Sequence, residues 1–243
     1  MVKQKNMKKL LSKIRIHPLT LVILFILLHE GLIKYVYVIS IILFVHEIGH
    51  LLFMLTFKRH INSITILPFG GLIKIDSDLS TNIYEDLLIS IGGIFTQSIL
   101  FYLTSNELLL YYNRLIIIFN LLPICPLDGY KITKLLLELL MPYKKTFFLV
   151  FNISIILIIL VILLNIELIY SNMLVFIFLI YSTFKEYRYT KYYMNRFYIE
   201  RMMKLYKFKS IIIINKKEEM YKNKTNIIKG QREDIYLRNE YLK

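Results

Sequence analysis

The feature that most constrains this chain is a succession of apolar segments between Pro18 and Phe184, each close to the length needed to cross a bilayer. A hydrocarbon core about 30 Å thick takes about 20 apolar residues of helix, with a range of about 17–25. Six segments approach that length: residues 18–33, 35–57, 87–103, 108–122, 147–164 and 168–184. Composition agrees. The chain is 56% hydrophobic, against about 45–50% for a soluble domain, which leaves too little polar surface for a soluble globule and too much apolar surface for a disordered chain. The expected fold is an all-α polytopic membrane protein with about six transmembrane helices over residues 18–184.

The net charge of +14 needs a place in this scheme, and it sits at the ends. Residues 1–17 carry +6, residues 185–243 carry +9, and the 18–184 core carries −1. Basic segments flanking an apolar block follow the positive-inside rule, so both termini are expected on the cytoplasmic side, an arrangement that an even number of spans satisfies. Basic character alone can also mark nucleic-acid binding, but here its topological reading is sufficient and no nucleic acid is expected. The basic start runs into an apolar segment without a small-residue cleavage site, the pattern of a retained anchor. The single cysteine, Cys125, excludes an internal disulfide and a thiolate zinc cluster.

Two stretches break the pattern of simple spans. Residues 63–75 place β-branched residues on both sides of Pro68-Phe69-Gly70-Gly71, which reads as a hairpin of two short strands. Open strand edges are not tolerated in hydrocarbon, so the hairpin is expected against helices or near the membrane surface. Residues 120–129 contain Pro123 and Pro126, which cannot both lie in a regular helix interior. An amphipathic helix over 130–141 follows, with Lys131, Lys134 and Glu138 off its apolar stripe. The tail from 185 onward is basic, with 211–214 as a candidate strand, and reads either as a small folded appendage or as a loosely ordered basic tail.

The second apolar segment holds His46-Glu47-Ile48-Gly49-His50. On a helix, residues i and i+4 share a face, so the two imidazoles can converge on one Zn²⁺ while Glu47 serves as general base toward a water on the metal. Ionisable groups inside a span are expensive and point to function. A catalytic zinc site takes a third protein ligand and leaves one position open. His17, His29 and His60 fall at the ends of segments and Asp76, Asp78, Glu85, Asp86 and Glu107 in loops. Asp128 follows the double-proline break and is either a metal ligand or the N-cap of the next helix; spacing alone leaves both open.

With these residues in view, the sequence resembles the site-2 protease family of intramembrane metalloproteases. The resemblance rests on His46-Glu47-Ile48-Gly49-His50 in a span together with Asn120, Pro123 and Pro126-Leu127-Asp128-Gly129, and it covers roughly residues 15–185. Ile16-His17-Pro18-Leu19, the Pro68–Gly71 turn and Asn120-Leu121-Leu122-Pro123 also match members of the family. The resemblance implies that His46, His50 and Asp128 bind one zinc ion, that Glu47 is the base, and that Asn120 supports the site near the substrate. It also implies a hairpin beside the active site, with Phe69, Gly70 and Gly71 facing an extended substrate. Tyr130 stands where a second glycine is common in the family, and Cys125 is outside the family motif. The 59-residue tail resembles at most a shortened form of the nucleotide-sensing cystathionine-β-synthase-type domain, which leaves a role for ATP open.

The function so implied is regulated intramembrane proteolysis by a zinc metalloendopeptidase. The substrate implied is a sporulation pro-sigma factor, cut at the mother-cell membrane around the forespore, with regulatory membrane proteins as further partners. A general site-2 protease acting on anti-sigma factors or signal-peptide remnants would share every site residue. A membrane ion or metal transporter would use the same cluster as an ion path, although the inverted repeats typical of transporters are absent from the sequence.

Overall fold

A computed structural model describes residues 14–16, 18–67, 70–76, 82–164, 169–206 and 208–241. Phe69, His17 and the basic residues before Ile14 lie outside the described residues. The chain divides into two compact units: residues 1–77 with 88–119, and residues 78–87 with 120–243.

In the first unit, a short strand β1 (Ile14–Ile16) leads into helix α1 (Pro18–His29), and helix α2 (Ile33–Thr56) follows. Gly31, at φ +72°, ends α1. Its N–H bonds to the Leu28 carbonyl and that of Leu32 to the Leu27 carbonyl, the Schellman pattern that favours glycine in the left-handed region. The same pattern ends α2 with Lys58 at φ +53° and Arg59 N–H on the Met54 carbonyl. Strands β2 (His60–Leu67) and β3 (Gly70–Asp76) then pair antiparallel, with Leu67 opposite Gly70 and His60 opposite Asp76. β1 adds to β2 in parallel, so β3 is an edge of the three-stranded sheet. Helix α3 (Ile83–Leu103) starts at Asn82, whose Oδ1 accepts the Tyr84 N–H. Helix α4 (Glu107–Leu121) starts at Asn106, whose Oδ1 accepts the Leu109 N–H. Both are side-chain N-caps. Val38, Ile42 and Leu100 form one buried core here, and Met54, Ile61 and Ile89 a second.

The second unit holds helices α5 (Asp128–Leu140), α6 (Tyr143–Leu164) and α7 (Ile169–Met203), then strands β4 (Ile211–Ile214), β5 (Thr225–Ile228) and β6 (Gln231–Arg232), and finally helix α8 (Glu233–Tyr241). β4 and β5 are parallel, and β5 turns into β6 through Lys229 and Gly230, both at positive φ, as a two-residue hairpin turn requires. The core joins Tyr143 and Phe147 of α6 and Phe197 and Tyr198 of α7 to Ile214, Met220, Ile228 and Leu237. The sequence after Phe184 is therefore not a plain tail. Its first nineteen residues continue α7 to Met203, so the boundary expected at 184/185 falls inside a helix.

Among the described residues, three helices are long and apolar enough to cross a membrane: α2, α3 and α6. The expectation of about six spans is thus met only at the coarser level of a mostly helical, polytopic membrane protein. The first segment shortens to the 12 residues of α1, about 18 Å at 1.5 Å per residue, because Gly31 ends the helix. The fourth keeps its length, as the 15 residues of α4 shifted by one position. The sixth runs on into polar sequence as the 35-residue α7.

Glu138 departs from the expected solvated face of α5. It is only 2% exposed, because Lys222 from the C-terminal segment covers it with an ion pair at 2.8 Å. Periodicity within α5 carries no trace of a partner 84 residues away.

Candidate metal centre

The site is built on the crossing of α2 and α3. Their backbones meet at Gly49 and Gly92: a Cβ on Gly49 would run into the Thr96 hydroxyl and the Gly92 carbonyl. Small residues of this kind let membrane helices approach closely. Thr96 Oγ1 lies 3.1 Å from the Val45 carbonyl across the crossing, one residue before His46, and shares its proton with the Gly92 and Gly93 carbonyls of its own helix at 3.1 and 3.0 Å.

His46 and His50 lie one turn apart on α2, 3% and 4% exposed, with ring centroids 4.7 Å apart and rings nearly perpendicular. Glu47 beside them is half-buried. The hydrogen bonds settle the tautomers. His50 Nδ1 lies 2.7 Å from the Ile89 carbonyl oxygen, which can only accept, so Nδ1 carries the proton. His46 Nδ1 lies 2.9 Å from Gln97 Oε1. That amide is oriented in turn, because its Nε2 donates to the Asn113 carbonyl at 3.2 Å. Asn113 Nδ2 returns a bond to the Gln97 carbonyl at 3.3 Å.

With both Nδ1 atoms committed outward, the two Nε2 atoms face each other 3.1 Å apart. Two ring nitrogens this close, with the other nitrogen of each ring committed outward, form a pair that one metal ion can bridge. Two nitrogens bound to one zinc at about 2.0–2.1 Å in tetrahedral geometry would lie about 3.3 Å apart, close to what is found. Gly93 completes the cradle: a Cβ there would strike His50 Nε2 and come within 2.8 Å of His46 Nε2, filling the space a metal needs. The donor set therefore fits a metal ion. Outer hydrogen bonds that orient ligating histidines are a regular feature of such centres.

Asp128 belongs to the second unit. It is the first residue of α5 and 4% exposed. The N-cap position is held by Leu127, whose side chain makes no capping bond, and Asp128 is the acidic residue of the first turn. The Asp128 carboxylate accepts from Lys131 Nζ at 2.9 Å. Gly129 allows α5 to start against the end of α4, since a Cβ would meet the Leu121 and Leu122 carbonyls. The double-proline break before it is held from the neighbouring helices: Ser154 Oγ donates to the Pro123 carbonyl at 2.9 Å and Thr183 Oγ1 to the Cys125 carbonyl at 3.4 Å. Broken backbone is tolerated in a membrane protein where protein groups satisfy it in this way.

Cys125 is buried, and its Sγ lies 3.7 Å from the Ser182 carbonyl. Burial, aided by the Glu186 carboxylate, pushes its thiol up to about 12. It packs against Tyr130 and Val150 as a small buried side chain.

Of the remaining expected site residues, Asn120 is buried in the last turn of α4. Gly70 and Gly71 open β3 opposite Leu67 and Ile66. Phe69 lies outside the described residues. Sequence reasoning missed Gly93, Gln97 and Asn113. The signal was present: a Gly-Gly pair and an amide inside an apolar span are themselves anomalies in hydrocarbon.

Comparison with known proteins bears on this centre. Residues 34–106, which include α3 and nearly all of α2, match the sequence profile of peptidase family M50. The chain is 32% identical over 207 residues to stage IV sporulation protein FB of Bacillus subtilis (strain 168), covering 79% of this chain and 72% of that relative. Its fold is similar to that of the site-2 protease from Methanocaldococcus jannaschii, with a TM-score of 0.57 at 21% identity over 72% of this chain and 90% of that one.

Proposed function

The chain belongs to peptidase family M50, the site-2 proteases, and is an intramembrane metalloprotease; from that premise we propose that His46, His50 and Asp128 hold a single zinc ion and that Glu47 is the general base of peptide hydrolysis. The observation that carries the reading is the convergence of the two Nε2 atoms at 3.1 Å with both tautomers fixed from outside. Asp128 is the buried carboxylate whose position after the proline break matches the third ligand of the family motif.

Zinc, when bound, supplies Lewis-acid polarisation of the scissile carbonyl and lowers the pKa of water to about 7. Glu47, next to the first ligand on the same helix, takes the proton of the attacking water and delivers it to the leaving amine. Gln97 and the Ile89 carbonyl keep the imidazoles oriented while this proton moves. A helical substrate hides its peptide bonds in internal hydrogen bonds and must be unwound. The edge strand β3, opening at Gly70 and Gly71, offers main-chain groups along which an extended substrate can lie. Phe69 and Asn120 are assigned to the same substrate path.

The likeness to a sporulation protein supports a pro-sigma factor as the substrate, with regulatory membrane proteins holding the protease until signalled. The basic ends support cytoplasmic termini, and the mother-cell membrane is the corresponding location.

The test is cleavage of a co-expressed pro-sigma factor by Glu47→Gln. Loss of the base should reduce cleavage by about 10²–10⁴-fold, while metal content and thermal stability stay at the wild-type level. Undiminished cleavage would remove Glu47 from the mechanism. Cleavage of unrelated membrane peptides with the pro-sigma factor left intact would remove the substrate assignment and leave the base in place.

A further inference from the structure

A cavity of about 820 Å³ lies in the second unit, where the first turns of α6 meet the 3₁₀ turn Lys217–Glu219. Lys144 and Lys145 of α6 and Lys216 before the turn bring three ammonium groups to its wall. All three lysines are exposed, and among the described residues none has a carboxylate partner within ion-pair distance. Their neighbour Lys217 differs: its Nζ is taken by Glu240 at 2.6 Å and by the Tyr241 hydroxyl. Glu218 and Glu219 also line the cavity, so its wall carries one net positive charge, and Glu219 Oε2 accepts the Asn215 N–H at 3.2 Å.

The walls are fixed to each other. Tyr143 N–H donates to the Met220 carbonyl at 2.9 Å, and Tyr143 and Met220 are buried in one core at 2% and 1% exposure. The Tyr198 hydroxyl holds the Lys217 carbonyl at 3.3 Å. The cavity is thus built by the fold rather than opened by a loose loop.

Its place along the chain says what it can take. α6 is one of the helices that qualify as membrane spans, and Lys144 and Lys145 stand at its start. Phe148 and Leu149, one turn deeper, also line the cavity and are 58% and 39% exposed. Ammonium groups at the end of a span, with exposed apolar side chains just inside it, match a phosphate at headgroup level with an acyl chain below it.

We propose that this cavity binds the headgroup of a monoanionic glycerophospholipid. The three lysines receive the phosphodiester, Glu218 and Glu219 accept from headgroup hydroxyls, and Phe148 and Leu149 lie along the acyl chain. The net charge of the wall balances one phosphodiester, and phosphatidylglycerol has this chemistry.

The test is native mass spectrometry of the full-length protein released from nanodiscs of equimolar phosphatidylglycerol and phosphatidylcholine, repeated with phosphatidylethanolamine in place of phosphatidylcholine. Wild type should retain phosphatidylglycerol about fivefold over either competitor. The triple variant Lys144→Gln, Lys145→Gln, Lys216→Gln should lose this preference, and the Lys→Arg triple variant should keep it, which separates loss of charge from loss of fold. Absence of a preference in wild type, its survival in the Gln variant, or its disappearance in the Arg variant would overturn the proposal. Displacement of the retained lipid by inorganic phosphate at equal concentration would also overturn it, because the cavity would then be a site for small anions.

Discussion

Among the described residues, two clusters of buried polar side chains are satisfied in opposite ways. In the C-terminal region, Arg201 and Glu233 pair at 3.0 Å with side chains 0% and 3% exposed, and Lys222 and Glu138 pair at 2.8 Å. Asn226 adds a bond to Glu233 at 2.6 Å. The Arg201 guanidinium also donates to the Lys222 carbonyl and lies against the rings of Phe197, Tyr206 and Phe208. Each charge there is answered by an opposite charge or a dipole. At the crossing of α2 and α3 the donors are committed outward, to Gln97 and Ile89, and two acceptors are turned toward each other. The first arrangement closes on itself and holds a fold together. The second brings two ring nitrogens to one point, where a cation fits. Burial of polar groups is common to both, so it is the direction of the remaining lone pairs that separates a site from a structural pair.

This contrast can be tested from both sides. The largest effect is expected from Gly93→Ala, whose added methyl group would occupy the space between the two Nε2 atoms. Metal content and cleavage should fall by more than the about 10–100-fold typical of mutations behind the ligands, with helix content unchanged in circular dichroism. A metal-loaded, active Gly93→Ala protein would show that the cation sits elsewhere.

Next comes the structural cluster. Glu138→Gln leaves the Lys222 ammonium buried without its counter-charge, which costs about 3–5 kcal/mol. The melting temperature should drop and proteolysis after Met203 should accelerate. An unchanged melt would place this pair among weak surface contacts.

Gln97→Leu is expected to be milder. It removes the acceptor of His46 Nδ1 and leaves the Asn113 carbonyl without the bond it receives. Metal affinity, read by chelator competition, should weaken by about 10–100-fold, and Gln97→Glu, which restores an acceptor for His46, should recover most of it. The smallest effect is expected from Cys125→Ala. A protonated, buried thiol contributes packing alone, so stability should change by about 1 kcal/mol or less, with cleavage intact. Rapid alkylation of native Cys125 at pH 8 would contradict the upward shift of its thiol.

Much of this was legible in the sequence, and what was not has a physical cause. His46, Glu47 and His50 declared themselves because charge and imidazole are rare in hydrocarbon and because i, i+4 spacing is local. Asp128 was marked by the proline break, but spacing alone did not show that Leu127 holds the N-cap and Asp128 the first turn. Gln97 was invisible as a partner because its role lies in a bond to a residue 51 positions away. Glu138 looked solvated for the same reason. The ends of the apolar segments were not legible because hydropathy does not register where a helix is capped: Gly31 ends α1 early, and the polar run after Phe184 does not end α7. The sequence of the C-terminal region left a folded appendage and a loose basic tail both open, because its core is assembled with α6 and α7, outside its own sequence.

Metal analysis with X-ray absorption on the purified full-length protein bears most directly on the centre. The expected result is about one zinc per chain, with two imidazole nitrogens and one carboxylate oxygen at about 2.0–2.2 Å, and no bound zinc in the His46→Ala, His50→Ala double variant. Cleavage by a zinc-free protein, or zinc that persists after both histidines are removed, would contradict the assignment.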